Sequence, residues 1–131
     1  MQGFIDDIEQ RTENNLAFRF VLYTGKHMQL VLMSLQPGDD IGEEVHDDVD
    51  QFFRIEKGNG EVSIDGRTTK IQSATTIIVT AGARHNIRNT GEESLQLYTI
   101  YAPPEHQDGT VQITKADAMT SSEHFDGVTT E

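Results

Sequence analysis

At 131 residues the chain suits one domain around one core. Its net charge of −12 argues against binding nucleic acid or an anionic membrane surface, and solubility accounts for much of that charge. With 0 cysteines it has neither a disulfide framework nor a thiolate metal site. The first stretch carries Asp6, Asp7 and Glu9 with no basic segment, so no secretory signal is expected. No run approaches the roughly 18 apolar residues of a membrane span, and the cytoplasm is the expected compartment.

In chain order, residues 1–15 form a polar lead that ends in the turn signal Glu13-Asn14-Asn15. Strand-length runs follow at 16–24 (LAFRFVLYT) and 28–35 (MQLVLMSL), the second stopped by Gln36-Pro37-Gly38. Residues 51–56 (QFFRIE) end at Lys57-Gly58, and 61–64 (EVSI) meets Asp65-Gly66, a two-residue hairpin signal before 68–71. Residues 75–80 (TTIIVT) are strongly β-prone, and 95–101 (LQLYTIY) alternates until Pro103-Pro104. Residues 110–114 can add an edge strand and 115–119 one helical turn, and the acidic tail 120–131 is expected to be mobile. Short strands without a helical period predict an all-β sandwich or barrel, in a single domain over 1–131.

Two stretches carry candidate chemistry. Glu44 and His46 lie two apart, so on a strand they share a face and Val45 turns away. Asp47 to Asp50 reads as a solvated turn whose negative field attracts cations, and Glu43 as surface. An antiparallel return after that turn would bring Gln51 beside the pair, and a barrel would bring His85, after the Ala81-Gly82 turn, opposite them. The same residues also read as an ordinary surface histidine and a strand-end amide, and spacing alone leaves both readings open.

Residues 37–58 and 80–89 together resemble the two motifs of the cupin superfamily. Gly38, Glu44, His46, Gln51 and Gly58 fall at the positions of the first motif, and Gly82, His85 and Asn89 at those of the second. Glu44 stands where the family has the first His of His-x-His, Gln51 where it has an acid, and Thr80 where it has Pro. The set is similar to that of zinc phosphomannose isomerases, which also use Gln, His, Glu and His, with amide and carboxylate exchanged. The resemblance spans roughly residues 23–101 and implies an antiparallel double-stranded β-helix, a jelly-roll barrel. It further implies one divalent transition metal (Zn, Mn, Fe, Ni or Co) held by Glu44, His46, Gln51 and His85. Two imidazoles, a carboxylate and an amide oxygen suit such ions better than Ca²⁺, which takes about six to eight oxygens.

Other candidates have blander readings. His27 reads as a strand-start residue, His106 as a rim or surface residue after β-rich 95–101, and His124 as solvated. Tyr23, Tyr98 and Tyr101 can line a cavity or pack in core and rim. Lys26, Arg54 and Arg88 can meet an anionic ligand or serve as surface charges. The expected function is a small metalloenzyme, isomerase-like, acting on a small sugar or organic acid. The alternative is a non-catalytic binding or sensor module that uses the same pocket for a small-molecule ligand. Cupins of this size pair through their sheets, so a homodimer is expected, with no nucleic-acid or membrane partner.

Overall fold

The structure, a computed structural model, describes residues 2–131. Its elements are α1 (Ile8–Asn14), β1 (Arg19–Thr24), β2 (Gln29–Leu35), β3 (Glu44–Val45), β4 (Asp50–Lys57) and β5 (Asn59–Ile64). β6 (Arg67–Gln72), β7 (Thr76–Val79), β8 (Arg84–Asn89), β9 (Leu95–Ala102), β10 (Val111–Gln112) and α2 (Lys115–Met119) complete the chain.

The strands form two antiparallel sheets, a six-stranded one in the order β10-β1-β2-β9-β4-β7 and a four-stranded one in the order β3-β8-β5-β6. Alternation along each strand sets what faces the interior. From the larger sheet come Val31, Met33 and Leu35 of β2, Phe53 and Ile55 of β4, and Leu95 and Leu97 of β9. From the smaller sheet come Val62, Ile71 and Ile87, and all of these join one buried cluster. The fold is the expected jelly-roll barrel.

Local chemistry fixes the strand pairings. Asp65 (φ 48°) and Gly66 (φ 83°) both take positive φ, so the β5–β6 connection is the tight turn that the Asp-Gly pair favours. At Gly60 an added Cβ would lie 2.4 Å from the Arg88 carbonyl oxygen and 2.9 Å from a Leu95 methyl. The backbone of β5 therefore approaches β8 and β9 only because this residue has no side chain.

Three placements differ from the sequence expectation. The polar lead contains α1, capped by Asp7, whose Oδ1 accepts the Gln10 amide at 3.0 Å. The segment around His85 is a full strand, β8, with His85, Ile87 and Asn89 buried and Arg84 and Arg88 exposed. The turn Asp47 to Asp50 is a crossover: β3 pairs with β8 in the smaller sheet, whereas β4 pairs with β7 and β9 in the larger. The C-terminal tail is hydrogen-bonded to the barrel: Phe125 N–H donates to the Glu105 carbonyl at 2.9 Å and Thr130 N–H to the Thr24 carbonyl at 3.0 Å. Beside it α2 is tied down by the Lys115 ammonium on the Asp40 carboxylate.

Candidate metal centre

β3 and β8 place Glu44 directly opposite His85. Cross-strand partners share a face, so both side chains project into the barrel. His46, two residues on, joins them, and its Nε2 lies 2.8 Å from Glu44 Oε2. One ligand atom each from Glu44, His46 and His85 lies within 4.8 Å of the others, a cluster able to hold a metal ion.

Gln51 arrives from the other sheet. It is 1% exposed, and its Oε1 lies 3.2 Å from His85 Nε2. The sequence reading had Gln51 beside Glu44 and His46, and His85 opposite. The barrel reverses this, because Asp47 to Asp50 carries the chain between sheets instead of closing a hairpin. Asp50 works in the turn that precedes β8: its Oδ1 accepts the Ala81 amide at 2.8 Å, and the Gly82 amide donates to the His46 carbonyl at 2.8 Å. The two motifs are thereby stitched together through the Ala81 and Gly82 amides. Asn89 has a structural role of its own. Its side-chain amide donates to the carbonyls of Leu35 and Glu93 and accepts from the Gly91 amide, which closes the loop into β9.

The hydrogen-bond roles test whether a cation fits. His85 Nδ1 lies 3.1 Å from the Ala83 carbonyl, which only accepts, so Nδ1 carries a proton and, in the neutral form of the ring that a metal requires, Nε2 is bare. Gln51 Nε2 donates to Thr99 Oγ1 at 3.0 Å, which turns Oε1 toward that bare nitrogen. Two lone pairs then face each other across a buried gap, an arrangement that a cation relieves. Cis ligands at about 2.1 Å from a metal are roughly 3 Å apart. The 2.8 Å Glu44–His46 and 3.2 Å Gln51–His85 separations match that spacing.

Charge around the site is arranged by burial and by close partners. Burial opposes ionisation of Glu44, but the hydrogen bond to His46 and the charges of His46 and Arg19 outweigh it and hold this carboxyl below its usual range. Conversely, the Glu44 hydrogen bond raises His46 against its burial, with Glu105 and Asp48 adding to the effect. Glu105 Oε1 stands 3.6 Å from His46 Nδ1, on the side of the ring away from Glu44. A carboxylate behind a ligating imidazole orients the ring.

The sequence reading missed several residues here. Arg19 is 6% exposed; it donates to Gln112 Oε1 at 2.6 Å, and its charge acts on Glu44 and Tyr101. A period-two signal was present, since Arg19 and Val21 share the inward face of an otherwise apolar strand. Glu105 gave no local signal, because only the fold brings its loop to His46. Of the residues left open, Tyr101 faces inward, with its ring edge-on to His46 at 6.0 Å between centroids. Tyr98 lies on the outer face against Phe52, and Tyr23 packs against Phe4. Arg54 pairs with Glu56 at 2.8 Å, while Lys26, Arg88, His27 and His124 are exposed, so none of these belongs to the site.

Comparison with known proteins agrees with this geometry. A sequence model described as "Cupin domain" matches residues 31–101. The uncharacterized protein YrkC of Bacillus subtilis is 46% identical over 127 residues, which span 92% of this chain and 68% of that protein. The uncharacterized protein L612 of Acanthamoeba polyphaga mimivirus is 38% identical over 117 residues, 86% of this chain and 72% of that protein. The crystal structure of BH2720 from Bacillus halodurans superposes with a TM-score of 0.89 at 46% identity, covering 92% of this chain and 96% of that one. With both motifs converging inside a jelly-roll barrel and the domain match covering them, this chain belongs to the cupin superfamily.

Proposed function

We propose that this cupin is a small metalloenzyme in which Glu44, His46, Gln51 and His85 hold one divalent transition metal of the Zn, Mn, Fe, Ni or Co type. The observation that carries the reading is the convergence of three ligand atoms within 4.8 Å, with a fourth oxygen 3.2 Å from His85. Such a metal supplies Lewis-acid polarisation of a carbonyl or hydroxyl oxygen. The chain's own residues would hold it from both sheets, orient His46 through Glu105 and His85 through the Ala83 carbonyl, with Phe53 and Tyr101 buried nearby. The proposed substrates are small sugars or organic acids. Isomerase-like chemistry is preferred, on the likeness of the ligand set to that of the phosphomannose isomerases.

The proposed setting is a cytoplasmic homodimer with no nucleic-acid partner. The compartment and the lack of a nucleic-acid partner are proposed on the cysteine-free, acidic composition; among the described residues no helix is long and apolar enough to cross a membrane. The test is elemental analysis of protein purified without added metal, followed by turnover on sugar phosphates, polyols and keto acids, with chelated protein as control. About one transition-metal ion per chain and metal-dependent turnover are expected. Metal without turnover on any class would favour the binding-module alternative, and no metal together with no uptake of Mn²⁺, Fe²⁺, Ni²⁺ or Zn²⁺ would overturn the reading.

A further inference from the structure

A second group of polar side chains stands directly behind the metal centre. Tyr101 is the cross-strand neighbour of Gln51 and is 2% exposed. Its ring lies edge-on between His46, at 6.0 Å, and His106, at 5.1 Å. The Tyr101 hydroxyl is 3.2 Å from His106 Nε2, and His106 Nδ1 is 2.6 Å from Glu123 Oε1. Glu123 Oε2 accepts the Gln107 amide at 2.6 Å. The backbone of His106 is clamped as well. Its amide donates to Gln29 Oε1 at 2.9 Å and its carbonyl accepts Gln29 Nε2 at 2.7 Å. Gln29 itself is 0% exposed.

These contacts give the chain a direction. A carboxylate that accepts two N–H groups is held in its ionised form. Glu123 therefore requires a proton on His106 Nδ1, and in the neutral form of the ring Nε2 is bare. In that form Nε2, 3.2 Å from the Tyr101 hydroxyl, is placed to accept its O–H. A buried phenol needs only one acceptor, and a backbone carbonyl would serve. The imidazole backed by a carboxylate goes beyond that need and is an arrangement suited to moving protons.

We propose that Tyr101, His106 and Glu123 form a proton relay serving a hydroxyl-bearing ligand at the metal centre. The inference rests on the metalloenzyme reading and adds its acid–base machinery. In the forward direction the ligand O–H bond breaks and its proton passes to the Tyr101 oxygen. At the same time the original phenolic proton passes to His106 Nε2, and the ligand oxygen keeps the bonding pair. His106 is then an imidazolium against the Glu123 carboxylate. The return step runs the same transfers backward, so protons and charge balance. Tyr101 is the catalytic residue. His106 acts through it, and Glu123 positions His106 by fixing its tautomer.

The test uses the full chain with Tyr101→Phe, His106→Gln and Glu123→Gln. Nitrogen-15 spectra of the histidine side chains, recorded near neutrality with and without Zn²⁺, read the relay directly. Wild-type His106 is expected as the Nδ1–H form, with a bare Nε2 whose resonance shifts in Tyr101→Phe, and with the Nδ1–H population falling in Glu123→Gln. His106 found as the Nε2–H form, or an Nε2 resonance unmoved by Tyr101→Phe, would overturn the relay, and these spectra decide it with or without turnover. On any substrate class turned over, kcat should fall about 100-fold in Tyr101→Phe and His106→Gln at undiminished metal content. Full metal with unchanged kcat in His106→Gln would sink the relay alone, whereas wild type that binds no metal would sink the metalloenzyme reading.

Discussion

His85 is 2% exposed, and its one polar hydrogen is spent on the Ala83 carbonyl. Its other nitrogen faces Gln51 Oε1 at 3.2 Å, where a metal ion would take both as ligands. His85→Ala should lower metal content from about one per chain to background, while His124→Ala, exposed on the tail, should leave it unchanged. Glu105→Gln keeps the shape of the side chain but removes the charge behind His46. By analogy with outer-shell carboxylates it should weaken metal affinity roughly 10- to 100-fold, as measured by competition with a chelator. Unchanged affinity would mean that the 3.6 Å contact does not orient the ring. Gly60 offers a separate check on packing. Its Cβ would meet the Arg88 carbonyl oxygen at 2.4 Å, which is backbone and cannot swing aside. Gly60→Ala should therefore cost about 1–3 kcal/mol in denaturant unfolding, the range for overpacking a tight contact. At this scale the cluster Glu44, His46 and His85 was legible, because motif spacing and strand alternation both pointed to it. Arg19, Glu105 and His106 were not, since their roles depend on chain crossings that no local pattern encodes.

α2 and the C-terminal tail are each fastened through a carboxylate. α2 is anchored by Lys115 on Asp40, and the tail by Glu123 on His106. Burial raises the pKa of Asp40, yet hydrogen bonds from Asn86 and Lys115 outweigh it and hold the carboxyl below its ordinary 3.8. Glu123 behaves alike: burial pushes it up, but the His106 hydrogen bond and the Gln107 amide bring it below its ordinary 4.5. For a carboxyl depressed in the folded state, the stabilisation is fully present above the unfolded value and is lost as pH falls through the folded one. Docking of α2 and the tail should therefore hold at neutrality and weaken in acid below about pH 4.5. Amide exchange of residues 115–126 against that of β4 and β9 would follow it. In Asp40→Asn with Glu123→Gln, protection in this segment should be lower at neutrality and nearly flat with pH. An equally steep acid loss in that variant would show that other groups fasten the segment. The sequence was readable here where hydrophobic alternation was strong, as in β4 and β9, and at the Asp-Gly turn. It was misleading where polar residues occupy regular structure. β8 reads Arg-His-Asn-Ile-Arg-Asn, yet its inward positions alternate without a break. α1 is polar because it only caps one end of the larger sheet, where the Gln96 amide donates to the Glu13 and Asn15 carbonyls.

At the scale of the whole molecule, the two faces of the six-stranded sheet carry different loads. The inner face is core. The outer face also bears apolar side chains: Phe52, Tyr98 and Ile100 are half-buried, and Ile78 is 67% exposed. α1 shields one end of this face, and Phe4 lies against Tyr23 near the other, bordering a groove of about 350 Å³ with Met28, Leu30 and Ile100. Between them, among the described residues, Ile78 stays exposed on this face. A chain with net charge −12 repels its copies over most of its surface. This face is the exception, because its Arg54 and Glu56 neutralise each other at 2.8 Å. Two copies can therefore meet here without opposing charge, and a two-fold axis would lay the apolar rows against each other. A stable pair needs roughly 800 Å² from each partner. The expected outcome is a particle of twice the 14.6 kDa chain mass by light scattering at micromolar concentration. Ile78→Glu adds a charge on β7, the edge strand of this face, but touches neither the core nor the metal centre. It should shift the protein toward monomer while leaving its metal content unchanged. A wild-type monomer would refute pairing altogether, and a dimer unaffected by Ile78→Glu would move the interface to another face.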